Sequence, residues 1–275
     1  MRRRFFIGAI FLVVTIGLVT HHQPFGAWIS LQWRRHTLPK AVIYEEVGKA
    51  QSPSPESPPI KGGGARIEGS SIAIPPPPVG GVRGGELPPA FNLAVPFTSQ
   101  APLGVWDHLH EEACEEAAVL MADAFYRGRA LTPQVSDADL QTIIAWETRV
   151  FGHWEDTTAE ETARVLREHY GYAKVTVILN PTLEFIKREV LQGHLVLLPT
   201  AGRLLHNPYF SGAGPLYHMI LVRGWTNNGM MITNDPGTKR GEGYVYAPEV
   251  LMNAIHDWNG GDVTHGSKAV IVVEK

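Results

Sequence analysis

The spacing of apolar and polar positions divides this chain into three regimes. From Phe5 to Val19 the run is apolar throughout, interrupted only by Thr15 and two glycines. From Gln51 to Ala90, 18 of 40 residues are proline or glycine and no aromatic residue occurs. From Phe91 onward, helical and strand periodicities alternate. Ala117, Ala118, Leu120, Met121, Ala124 and Phe125 form one stripe of a helix over Cys114–Arg127, which ends at Gly128. A second helix is expected over Asp137–Phe151. A third begins at the capping pair Thr158 and Glu161, runs to His169 and stops at Gly171. Lys174–Leu179 alternates and is β-branched, which predicts a strand. Asn180-Pro181 opens a helix ending near Gly193. His194–Leu198 reads as a buried strand. Leu216–Trp225 and Met230–Asn234, joined through Asn227-Asn228-Gly229, read as a hairpin. Tyr244–Tyr246 is a short strand, Pro248–Trp258 a helix and Ala269–Val273 a closing strand. Helices come mostly first and hairpin-linked strands mostly last, which is an α+β pattern with helices packed on an antiparallel sheet.

Composition narrows the function classes. The 275 residues are 44% hydrophobic and 19% charged, ordinary for a folded core. The net charge of −3 argues against bulk electrostatic binding of nucleic acid. Cys114 is the single cysteine, which excludes an internal disulfide framework, a cysteine-rich zinc site and an iron–sulfur cluster held by one chain.

Arg2, Arg3 and Arg4 before the apolar run make residues 1–27 a signal-anchor or a signal peptide. As a helix the run spans roughly 22 Å, short of the ~30 Å hydrocarbon core unless it continues through Thr20 and His21. The small residues that signal cleavage requires are missing after it, which favours an uncleaved anchor over a secreted product. The positive-inside rule places the rest of the chain outside the cytoplasm. Residues 28–90 are expected to be a juxtamembrane segment and a Pro/Gly-rich disordered linker, because such a stretch buries too little apolar surface to offset its ordering entropy. Residues 91–275 are expected to be the folded domain.

Candidate chemistry centres on Cys114. A helix start carries partial positive charge and favours a thiolate. Glu111, Glu112, Glu115 and Glu116 act in the opposite direction. His218 lies inside the apolar strand and could serve as the base. Asn234 or Asp235, at the end of the next strand, could accept the other imidazole N–H. Gln100 could help the Cys114 backbone N–H bind an oxyanion. Each of these residues taken alone has a plain structural explanation; the set gives them meaning.

These residues and their neighbours carry a resemblance. Val95-Pro-Phe-Thr-Ser-Gln100, Trp106, Glu112-Ala-Cys-Glu-Glu-Ala-Ala-Val-Leu-Met121, Tyr217-His-Met-Ile-Leu-Val-Arg-Gly-Trp225 and Asn234-Asp-Pro-Gly237 resemble papain-fold cysteine peptidases related to bacteriocin double-glycine leader peptidases. The stand-alone, secreted or membrane-anchored bacterial members are the more similar. The resemblance extends from about Leu93 to the C-terminus. It implies a papain-like fold, with Cys114 as nucleophile, His218 as general base, Asp235 as its orienting acid with Asn234 as second choice, and Gln100 in the oxyanion hole. Many relatives carry Cys-Gly-Pro where this chain has Cys114-Glu115-Glu116. The implied substrate is a peptide or protein, and covalent catalysis of this kind needs no cofactor or metal. No Walker A pattern occurs in the sequence, so a fused transporter ATPase is not expected.

Other readings are weaker. His108-Leu-His110-Glu111 lacks the His-Glu-x-x-His spacing of a metal helix. Gly80–Gly85 leads into no helix pattern. No Gly-x-Ser-x-Gly elbow exists. The alternative from another class is a non-catalytic peptide- or wall-binding module that keeps the fold.

Overall fold

The computed structural model describes residues 38–50 and 86–275. The anchor expected within residues 1–27 lies outside the described residues. Among the described residues no helix is long and apolar enough to cross a membrane.

The domain begins earlier in the chain than composition suggests. Residues 38–50, grouped by composition with the linker, pack on the domain. Val42 forms a parallel bridge with Leu93, donating its N–H to the Asn92 carbonyl and accepting from Ala94, each at 2.8 Å. Helix α1 (Tyr44–Ala50) comes next; Val47 is buried and the Tyr44 ring packs edge-on against Phe125 and Tyr126. A few apolar side chains and two backbone bonds are enough to hold this segment, and the surrounding proline and glycine content hides them.

Strand β1 (Phe91–Asn92) leads to a short helix α2 (His108–Glu111) and then to α3 (Cys114–Arg127). In α3 every residue but Arg127 is buried, so this helix is the central rod of the domain. Helix α4 (Pro133–Phe151) starts four residues before the predicted position. Thr132 caps it, accepting from the Val135 N–H, and Pro133 occupies the first turn, where a missing N–H costs nothing. The predicted capping box of Thr158 and Glu161 is present at α5 (Ala159–Arg164), which continues as a π turn over Val165–His169.

Strand β2 (Lys174–Leu179) matches its predicted span. Asn180 does not cap the next helix. It turns the chain at φ 50°, and Thr182 caps α6 (Leu183–Leu191) instead. Strand β3 (Leu195–Ala201) runs through Pro199, past the predicted end. Neighbour β7 (Ala269–Glu274) pairs only with Leu195–Leu197, so Pro199 sits where one side of the strand is free of a ladder partner and its missing donor is tolerated. The hairpin is β4 (Tyr217–Trp225) and β5 (Met231–Asn234), followed by β6 (Tyr244–Tyr246) and α7 (Pro248–Ala254).

The sheet order is β2-β7-β3-β4-β5-β6, antiparallel throughout, with β1 pairing the far end of β4. All nine residues of β4 are buried, because α3 packs on the strand as well as its sheet neighbours. Gly224 admits β1: a Cβ there would lie 2.1 Å from the Phe91 carbonyl oxygen. Arg223, at the irregularity between β4 and β5, is buried and donates to Asn92, Leu93 and Asn234, tying β1 to the hairpin. The α+β expectation is therefore correct, with helix α3 laid across the middle strand of one antiparallel sheet.

Candidate active site

Helix α3 and strand β4 set the site. Cys114 is the first residue of α3, and its Ala113 N-cap provides no side-chain acceptor. The N–H groups of a first helical turn lack intrahelical partners, so they remain available to an anion. The Met219 N–H on β4 points at Cys114 Sγ, 3.4 Å away. This contact brings the sulfur against the strand position next to His218.

His218 is 1% exposed. Its Nε2 lies 2.8 Å from Asp235 Oδ1, just beyond the end of β5. Asp235 is fully buried and also receives the Gly237 N–H at 3.0 Å on Oδ1, and Tyr246 Oη at 2.5 Å and Asn207 Nδ2 at 2.8 Å on Oδ2. Burial opposes ionisation, but the His218 charge and these hydrogen bonds win and hold the carboxyl below the usual aspartate range. An ionised Asp235 can only accept, so Nε2 carries a proton, and Nδ1 is the nitrogen left to exchange one with a substrate or the thiol. Phe210 packs edge-on to the imidazole at 5.2 Å, and Gly237 lies close to both rings.

The two sequence candidates for pairing with His218 are thus distinguished by geometry. Asp235 contacts the ring. Asn234 faces the other way, donating to the Val95 and Pro96 carbonyls and accepting from Arg223 and Gly243. It braces the hairpin against the segment before Gln100.

Gln100 lines the same cavity as Cys114 and His218, but it does not present a free donor. Its Nε2 donates to the His110 carbonyl at 2.9 Å and to the Glu111 carbonyl at 2.8 Å. Its Oε1 is buried without a partner. The amide donors expected for an oxyanion are committed to the end of α2. His110 makes that possible: its ring bridges Asp107 at 2.6 Å and Asp137 at 2.9 Å, which fixes α2. Both ring nitrogens are thereby engaged by carboxylates, and among the described residues no group of three or more metal-binding side chains occurs.

The thiol also departs from expectation. Cys114 is 5% exposed, and Sγ donates to Glu115 Oε2 at 2.9 Å. Burial first, then the charge and hydrogen bond of Glu115, push the thiol well above its ordinary pKa. Both act against the thiolate that the helix start favours. Removal of the thiol from water, with the Glu115 carboxyl beside it, opposes the helix dipole, whose effect is worth ~1 kcal/mol. Glu115 and Glu116 are themselves buried, and burial raises both carboxyls well above the glutamate norm. Burial likewise pushes Glu147, beside them on α4, up to about 8.

Around Cys114 and His218 the surface opens into a cavity of about 710 Å³. Trp106, Phe210 and Leu216 form part of its apolar wall, while Glu111, Glu112, Glu115 and Asp156 form an acidic one. Asn207 and Tyr246, which hold Asp235, and Asp156 carry no signal in the sequence. Asn207 lies 28 residues before the carboxyl it supports, so no local pattern marks it.

Fold and site together define a papain-like α+β domain of the cysteine peptidase type. The model of the Peptidase_C39 like family matches residues 92–260, and the chain belongs to that family. A crystal structure from Bacillus anthracis, described as a C39-like peptidase, is similar at 14% identity and TM-score 0.45, covering 66% of this chain and 95% of that one. No curated protein matches the chain.

Proposed function

We propose that this chain is a thiol hydrolase of peptide or amide bonds, with Cys114 as nucleophile, His218 as base and Asp235 as the group that orients it. The observation that carries the reading is the buried His218–Asp235 pair, at 2.8 Å, opening on the same cavity as Cys114. His218 Nδ1 takes the thiol proton as Sγ attacks the carbonyl carbon. The Cys114 N–H at the start of α3 receives the oxyanion. Collapse breaks the C–N bond, and the leaving amine takes the proton from His218. Water, deprotonated by the same ring, then hydrolyses the thioester and restores the thiol. Gln100 contributes a second oxyanion donor only when substrate displaces one of the two carbonyls it holds. Proton transfer at the moment of attack replaces a preformed ion pair, in keeping with the thiol's hydrogen bond to Glu115.

The reading includes the location. The Arg2–Arg4 and Phe5–Val19 pattern supports a domain held at a membrane on the extracytoplasmic side.

A second reading, a binding module that retains the fold, is favoured by the buried thiol and its hydrogen bond to Glu115. One experiment separates the two. The full chain, purified in neutral detergent, is incubated with a mixed peptide library and the products are read by mass spectrometry. Cleavage that disappears in Cys114→Ala and in His218→Ala supports the hydrolase. Absence of cleavage, together with iodoacetamide reactivity unchanged by His218→Ala, establishes the binding module.

A further inference from the structure

The cavity around Cys114 is unevenly charged. Four carboxyl groups, from Glu111, Glu112, Glu115 and Asp156, border it, against a single lysine, Lys239. Glu112 and Asp156 are half-buried and make no ion pair among the described residues. The ring that most eases the charge of Glu112, His108, is exposed and lies 3.9 Å from Glu155 instead. Burial, with the charges of Glu112 and Glu155, pushes Asp156 up to about 6. Two partly desolvated carboxylates that repel each other cost free energy until a cation arrives.

A second and independent feature points the same way. Gln100 Oε1 is a buried acceptor without a hydrogen-bond partner. Its residue is more than nine-tenths buried, at 3% exposure, and lines this cavity. An unfilled acceptor beside carboxylates calls for a ligand rich in N–H donors. Trp106, 45% exposed in the same wall, offers an aromatic face to such a group.

We propose that the cleft selects a substrate bearing a cationic side chain, an amine or guanidinium, which Glu112 and Asp156 receive beside Cys114. The proposal names the substrate class for the hydrolase reading and so rests on it. The cation neutralises the repelling pair and donates to the unfilled Gln100 acceptor. An acidic side chain at that position adds a third negative charge, and an apolar one leaves the carboxylates desolvated and unpaired.

The test measures binding apart from catalysis. Full-length Cys114→Ala in neutral detergent is titrated with three blocked tripeptides, acetyl-Ala-X-Ala-amide with X as lysine, norleucine or glutamate. The lysine peptide is expected to bind at least ten-fold more tightly than either of the others. Glu112→Gln and Asp156→Asn, each placed in that background, are expected to reduce the preference several-fold; their melting temperatures report that the fold is kept. Equal binding of the three peptides, or no binding of any, overturns the proposal. So does a preference that survives both substitutions. Cleavage by the wild-type chain is read separately on the same peptides. Preferential binding without cleavage counts against the hydrolase and leaves the cation site standing. Cleavage without lysine preference does the reverse.

Discussion

Gly237 lies close against the His218 imidazole: a methyl group on its α-carbon would sit 2.8 Å from Cε1 and 3.0 Å from Nε2. The turn that carries Asp235 therefore also limits the position of the ring by close packing. Gln100 N–H and Ser99 Oγ both donate to the Pro236 carbonyl, at 3.0 and 3.2 Å, so the same turn holds the Gln100 loop. Gly237→Ala must push either the imidazole or the turn. The expected outcome is a loss of hydrolysis on the order of 100-fold, the cost of misplacing a catalytic group by about 1 Å, with a much smaller change in melting temperature. Peptide hydrolysis and a thermal melt on the same sample check it.

Tyr246→Phe removes one of the donors to Asp235 Oδ2 and leaves Asn207 as the other. A hydrogen bond to a charged group is worth about 1.5–3 kcal/mol. Asp235 is depressed in the folded state, so its contribution to stability is present above the unfolded aspartate pKa and is lost as pH falls through the folded value. Weakening the donor set raises the folded value. The acid limb of the denaturation curve should move to higher pH in Tyr246→Phe, and the midpoint of acid unfolding measures it.

Glu115→Gln keeps an oxygen beside Cys114 Sγ and removes a carboxyl whose charge and hydrogen bond raise the thiol pKa. The pH at which iodoacetamide reacts half-maximally should fall, and the rate at neutral pH should rise several-fold. An unchanged profile means that burial alone sets the thiol.

Glu147 predicts a pH dependence of opposite sign to that of Asp235. Its folded pKa of about 8 lies above the ordinary glutamate value of 4.5. The folded protein therefore holds a proton that the unfolded chain has released, and stability falls as pH rises from about 4.5 towards 8. Glu147→Gln should stabilise the domain at pH 8 by on the order of a few kcal/mol and leave it nearly unchanged at pH 4.5. Urea unfolding at the two pH values reads both.

The elements that are legible in the sequence share one property: their signal lies within a few residues. The stripe of α3, its Gly128 stop and the Thr158–Glu161 box are local, and the all-apolar β4 announces burial on both sides. The order of Cys114, His218 and Asp235 along the chain is legible because each lies at the edge of such an element. The features that escape are set by tertiary contact. Glu115 and Glu116 read as acids that oppose a thiolate, but their burial, at 1% exposure each, has no local signal. Gln100 reads as a donor, but the carbonyls of α2 compete for its amide. The start of α4 is a different case: Thr132-Pro133 is a local cap signal, obscured by the polar run after it.

Residues 38–50 add a mechanical property to the domain. They hold it through the Val42 bridge, the seat of Val47 and the Asn92 Nδ2 bond to the Pro39 carbonyl, all independent of the peptide bonds between residues 51 and 85. A protease that cuts within 51–85 severs the chain but not this clasp. The carboxy-terminal fragment would stay fastened to the segment ahead of it as a nicked two-chain species, released only when the clasp itself opens.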